Sequence, residues 1–125
     1  MIKKIATDKA PAAIGPYSQA TVVGNMVFTS GQIPIDPKTG NIEATDIVGQ
    51  AEQVMANLKA VLAAAGTDFS NAIKTTCFLA DIAHFGAFNE VYAKYFTEKP
   101  ARSCVAVKDL PKGALVEVEV IAQIV

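Results

Sequence analysis

The chain has 125 residues, enough for one domain with its own core and no need of disulfide or metal staples, and it is read as a single domain over 1–125. Apolar residues make up 51% and charged residues 18%, with a mean hydropathy of +0.31, more apolar surface than so small a body can bury alone. The charges at Glu52 and Lys59 interrupt the longest apolar stretch, 47–65, which argues against a membrane span and for contact between copies of the chain, while a net charge of −1 with scattered basic residues argues against nucleic acid as a partner.

The basic start, Met1 to Asp8, lacks the apolar run and small-residue cleavage site of an export signal, and the two cysteines, Cys77 and Cys104, fall inside predicted strands. Two such thiols in an unexported protein are expected to be reduced, and a cytoplasmic location follows. A short strand at 2–5 is left open. Residues 11–24 carry prolines and glycines around a polar–apolar stretch, and Asn25 to Gly31 reads as a strand after a Gly24-Asn25 turn, together a β-hairpin. Residues 34–42, with two prolines and a Thr-Gly-Asn turn signal, are expected to be a surface loop. Apolar residues recur at three- and four-residue spacing from Ile47 to Ala65, with Thr45 or Asp46 to cap the start and Gly66 to end it, which predicts a helix. Ile73 to Ala80, β-branched and aromatic, predicts a strand. Asp81 can then cap a second helix whose apolar face is Ile82, Phe85, Phe88, Tyr92, Tyr95 and Phe96. Pro100 breaks that helix, Arg102 to Val107 extends, Pro111-Lys112-Gly113 turns, and Leu115 to Val125 alternates as a long last strand. Two helices on a mixed sheet cover one face only, and the open face is where partner subunits are expected.

Chemistry-bearing residues are few. No P-loop, dinucleotide fingerprint or zinc spacing occurs, and the single His84 has no companion ligand, so neither metal nor cofactor is expected. Arg102 opens a strand, where a guanidinium can present a two-pronged clamp to a carboxylate or serve only in a surface or intersubunit ion pair. In the last strand Val116, Val118 and Val120 face one way and Glu117 and Glu119 the other. A carboxylate in an apolar interface must find a partner or rise in pKa, as a general base requires; spacing does not say which of the two would act. Cys104 shares a face with Arg102, but without an adjacent histidine it reads as a packed thiol rather than a nucleophile. Tyr17 between turn residues, Ser30-Gly31 at a strand end and Asn89 on the second helix each suit a pocket rim, and each equally suits a local structural role.

Five blocks in order, Gly15-Pro16-Tyr17-Ser18-Gln19-Ala20, Phe28-Thr29-Ser30-Gly31-Gln32-Ile33-Pro34, Asn89-Glu90-Val91-Tyr92, Pro100-Ala101-Arg102-Ser103 and Val116-Glu117-Val118-Glu119, resemble the reactive intermediate deaminase family of the YjgF (RidA-like) type across essentially the whole chain. The resemblance implies an α+β, chorismate-mutase-like fold with two helices on one face of a mixed sheet. It also implies a homotrimer around a central β-barrel with sites between neighbouring subunits. It further implies hydrolysis of 2-imino (enamine) acids, such as 2-iminopropanoate and 2-iminobutanoate, to 2-oxo acids and ammonia, without cofactor. In that pattern Arg102 holds the substrate carboxylate and Glu119 orients the water, while Tyr17, Ser30, Gly31, Asn89 and Cys104 line the pocket, Cys104 through its backbone. The short Thr97-Glu98-Lys99 link, where many members carry extra residues, alters that pocket edge. The competing readings are a sensor that binds 2-oxo acids without turnover, and an RNA-cleaving or translation-inhibiting protein.

Overall fold

The computed structural model describes residues 1–125. The strands are β1 (Lys3–Ile5), β2 (Ala20–Val23), β3 (Met26–Thr29), β4 (Ile35–Asp36), β5 (Asn41–Ile42), β6 (Ala72–Leu79), β7 (Ala101–Ala106) and β8 (Val116–Gln123), and the helices are α1 (Ile47–Ala65) and α2 (Phe85–Tyr95). Six strands form one sheet in the order β1-β2-β3-β8-β6-β7. Every pairing is antiparallel except β6 with β7, which is parallel because α2 carries the chain back between them.

Helix α1 forms where its apolar stripe can meet the sheet. Asp46, in extended backbone, accepts a hydrogen bond from Gly49 N at 3.1 Å, and Gly66 at φ 89° closes the far end with its N–H directed back at Ala63 O. Between these caps Ala51, Val54, Met55, Leu58 and Leu62 are fully buried, and they pack on Val116, Val118 and Val120 of β8 and on Cys77 and Leu79 of β6. From α2, Phe88, Val91 and Tyr92 close the same core with Phe96. A smaller cluster of Ile5, Ala10, Ala20, Val22 and Val27 meets Val61 at the other end of α1.

The strand alternation places the remaining side chains on the face away from the helices. Glu117, Glu119 and Ile121 alternate with the buried valines of β8, and Phe28, Val23 and Val105 are exposed there. That face is uncovered within the chain, as expected.

The structure departs from the sequence expectations in two places. Residues 34–42 contain a small hairpin, with Ile35 opposite Ile42 and Asp36 opposite Asn41, because Asn57 of α1 donates to the carbonyls of Ile33 (3.1 Å) and Ile35 (2.9 Å) and holds the segment against the helix. Asp81 caps only a single 3-10 turn, Ile82–His84, before α2 begins; this turn rotates Ile82 off the packed face, and both it and Phe85 are exposed while Val91 is buried. The short strand at the start does form, paired with β2 from Lys3↔Val22 to Ile5↔Ala20.

Candidate functional site

Two hollows gather most of the sequence-selected residues, while Cys104 and Glu119 line neither. The first sits where β3 ends. Ser30 N donates to Gln19 O at 2.9 Å and Ser30 Oγ to Ser18 O at 2.6 Å, which fixes the exit of the strand. Gln32 then bridges to Val118 of β8 in both directions, at 2.8 and 3.2 Å. Between them Gly31 lies flat against Glu117, so close that a β-carbon there would stand 2.0 Å from Glu117 Oε2. Only glycine permits this approach.

The loop over the hollow is held by Gln19, a buried amide that accepts from Thr7 N at 2.6 Å and donates to Pro11 O at 2.7 Å. Tyr17 stands out from that loop, 52% exposed, its N–H turned onto Gly15 O. The resulting space of about 450 Å3 presents Tyr17, Ser30, Gly31 and Glu117 opposite an apolar wall that includes Ile14, Ile33 and Pro111. Glu117 is half-buried and makes no salt bridge, although Lys112 lines the same hollow, and burial, reinforced by the charge of Glu119, pushes its carboxyl above the usual carboxylate range.

The second hollow, about 400 Å3, lies between β7 and α2. Arg102 Nη1 donates to Asn89 Oδ1 at 2.6 Å, and the guanidinium lies 4.7 Å over the Tyr92 ring, so its plane is set while other N–H groups are spared. Cys104 follows two residues on, packed against the core beside Cys77, its partner in the β6–β7 register. Burial raises both thiols, Cys77 to about 12, so neither is an activated nucleophile. Because Val107 N–H is donated to Leu79 O, in-plane alternation along β7 turns the Cys104 N–H to the free edge of the sheet, available to a ligand.

Arg102 and Asn89 are thus brought together, as are Tyr17, Ser30 and Gly31, but the two groups stand on opposite faces of the sheet. Arg102 pairs with the core-facing Thr75, whereas Glu117 pairs with Phe78 and projects from the uncovered face. Glu119 shares that face but sits opposite Thr76, one step along from the hollow that Glu117 lines. Reading the strand alone treats the two carboxylates alike, since the period of two puts both on one side; only the close approach of Gly31, a long-range contact beside the Gln32–Val118 bridge, singles out Glu117. Tyr92, placed on the apolar face of the second helix by its spacing, and Thr75, inside the predicted strand 73–80, surround Arg102, and nothing local in the sequence marks either as its neighbour. No three His, Cys, Asp or Glu side chains converge as a metal-holding group, and no helix is long and apolar enough to cross a membrane.

The family model described as Endoribonuclease L-PSP matches residues 7–124. The chain belongs to this family. It is 52% identical over 122 residues to the RutC family protein y4sK of Sinorhizobium fredii, covering 97% of each chain, and 50% identical over 126 residues to the 2-iminobutanoate/2-iminopropanoate deaminase of Escherichia coli K12, covering 98% of each. Among solved structures it superposes on E. coli TdcF with bound serine at a TM-score of 0.92 and 47% identity, over 97% of this chain and 98% of that one. The mixed α+β sheet with two helices is therefore the family's fold, and the family is the one the five sequence blocks resemble.

Proposed function

We propose that the protein is a hydrolytic deaminase that converts small 2-imino acids to 2-oxo acids and ammonia, working as a homotrimer in the cytoplasm with each site shared by two neighbouring subunits. The observation that carries this reading is the glycine-backed Glu117 in a half-apolar hollow, a carboxylate kept basic by burial and turned toward the uncovered sheet face. The name of the E. coli relative supports the substrate class, and the serine bound to TdcF, a small amino acid, is the kind of ligand such a site would hold.

In the proposed reaction Arg102 of one subunit, its plane fixed by Asn89 and Tyr92, takes the substrate carboxylate with two parallel N–H bonds, and the free Cys104 N–H adds a third donor. The adjacent C=N carbon is then held over the neighbour's hollow. Water attacks that carbon as a glutamate takes its proton; the C–O bond forms and the C=N π pair moves to nitrogen. The substrate reacts as the protonated iminium, so the attack leaves a carbinolamine with a neutral amine. The glutamate returns its proton there, the C–N bond breaks with its electron pair leaving on ammonia, and the hydroxyl proton passes to the glutamate as the C=O of the 2-oxo acid forms. Positioning and general-base catalysis suffice for so reactive a carbon. The family resemblance gives this proton transfer to Glu119; the geometry favours Glu117, with Glu119 acting through its charge. Tyr17 and Ser30 border the leaving group.

Ammonia release from 2-iminopropanoate freshly generated by a serine dehydratase is the test. Acceleration over the spontaneous rate supports the reading, whereas binding of pyruvate with no acceleration would make the protein a 2-oxo acid sensor. The family's endoribonuclease description names a third activity; the net charge of −1 with scattered lysines offers no basic footprint for a phosphate backbone, and salt-dependent RNA binding with cleavage would favour it instead.

A further inference from the structure

Arg102 does not stand alone in its hollow. Its guanidinium carbon is 4.7 Å from the centre of the Tyr92 ring and 5.5 Å from that of Phe85, with one amino group on Asn89. A guanidinium laid on an aromatic face keeps its N–H groups in its own plane, so the contact orients the fork without consuming a donor. Tyr92 is itself fixed. Its ring stacks on Phe96 at 4.4 Å and 24°, and its hydroxyl shares a buried 2.8 Å hydrogen bond with Thr75 Oγ1. Thr75 is the residue directly opposite Arg102 in the β6–β7 register. The contacts therefore close a circuit: the strand neighbour of the arginine holds the hydroxyl of the ring on which the arginine lies.

We infer that Tyr92, tethered by Thr75, is the positioning residue that sets the plane of the Arg102 guanidinium and hence the direction from which a small 2-imino or 2-oxo acid presents its carboxylate. The inference rests on the proposal that Arg102 receives that carboxylate. A buried tyrosine with a satisfied hydroxyl would also serve a purely structural purpose, and that purpose is separable by experiment. Structure alone would link Tyr92 to melting temperature, whereas positioning links it to carboxylate affinity through Arg102.

The probe is pyruvate, titrated calorimetrically into the assembled protein, alongside KM and kcat for imino acid hydrolysis and the melting temperature. Tyr92→Leu removes the ring and should raise both the pyruvate Kd and KM by about 2- to 30-fold, the span of a cation–π contact, with kcat within about twofold. Tyr92→Phe and Thr75→Val keep the packing and remove only the hydroxyl pair. Each should raise Kd by less than Tyr92→Leu and by the same amount as the other, and the double variant should go no further than either. Placed on an Arg102→Lys background, Tyr92→Leu should change pyruvate affinity no further. An unchanged Kd in Tyr92→Leu, or an undiminished effect on the lysine background, overturns the inference. If Tyr92→Leu does not fold, an unchanged Kd in both hydroxyl-deleting variants overturns it equally. Should Arg102→Lys itself bind pyruvate normally, the assignment of Arg102 as carboxylate clamp falls, and the positioning role with it; normal weakening in Arg102→Lys with none in Tyr92→Leu sinks the positioning role alone.

Discussion

Glu117 and Glu119 stand on one strand face, two residues apart, yet only Glu117 is backed by a glycine that lets the main chain touch its carboxylate. Glu117→Gln should lower kcat by roughly 10²–10⁴-fold, the range of a positioned general base, while Glu119→Gln keeps most turnover. Steady-state ammonia release checks both, and the reverse ranking would return the role to Glu119. Because the Glu119 charge helps hold the Glu117 carboxyl high, Glu119→Gln should also move the acid limb of the kcat/KM profile to lower pH. Gly31→Ala would press its methyl onto the movable end of the Glu117 side chain, so the variant should fold with a melting temperature close to wild type but lose activity. Adding Glu117→Gln to it should cost little more; full additivity would show that Gly31 acts elsewhere. Cys104→Ala should retain most activity, since burial lifts that thiol away from reactivity. A loss as deep as that of Arg102→Lys would make the sulfur a participant.

At the level of elements, α1 and α2 are joined on their outer side by Glu52, which accepts from both Lys94 Nζ and Tyr95 Oη. The hydrogen bond from Lys94, then that from Tyr95, holds the Glu52 carboxyl below its ordinary value. A carboxyl depressed by folding stabilises the folded state above its unfolded pKa and loses that contribution as pH falls through its folded pKa. Glu52→Gln should therefore cost no more than about 1 kcal/mol at neutral pH, as for other solvent-exposed pairs, with the difference closing below the usual carboxylate range. Urea denaturation at both pH values measures it, and a difference that widened in acid would contradict the assignment. The elements most legible in the sequence are those whose signals are local. In α1 the cap, the stripe and the terminal glycine all agree, and β8 declares itself by strict alternation. The β4–β5 hairpin was not legible, because the side chain that holds it, Asn57, lies 24 and 22 residues along the chain from the carbonyls of Ile33 and Ile35 that it binds. Likewise Arg102 and Gly31 were legible as candidates from their places at strand ends. The choice of Glu117 and the Tyr92–Thr75 support of Arg102 were not, since each depends on cross-strand register that no single segment encodes.

For the molecule as a whole, the exposed Phe28, Val23 and Val105 on the uncovered sheet face call for burial, and the proposed homotrimer supplies it. Sedimentation equilibrium at micromolar concentration should give the mass of three chains; a monomer would sink the shared-site reading as well. The placement of Arg102 and Glu117 on opposite sides of one sheet has a further consequence for mixtures of damaged chains. Suppose Arg102→Ala and Glu117→Gln are each inactive, and the two are unfolded and refolded together in equal amounts. In a closed ring of three, every mixed ring contains one junction at which an undamaged arginine faces an undamaged glutamate, whatever the composition of the rest. Random assembly then restores about a quarter of the wild-type activity per chain. Two preparations that do nothing apart should thus work when blended, a complementation that a site complete within each chain could never produce.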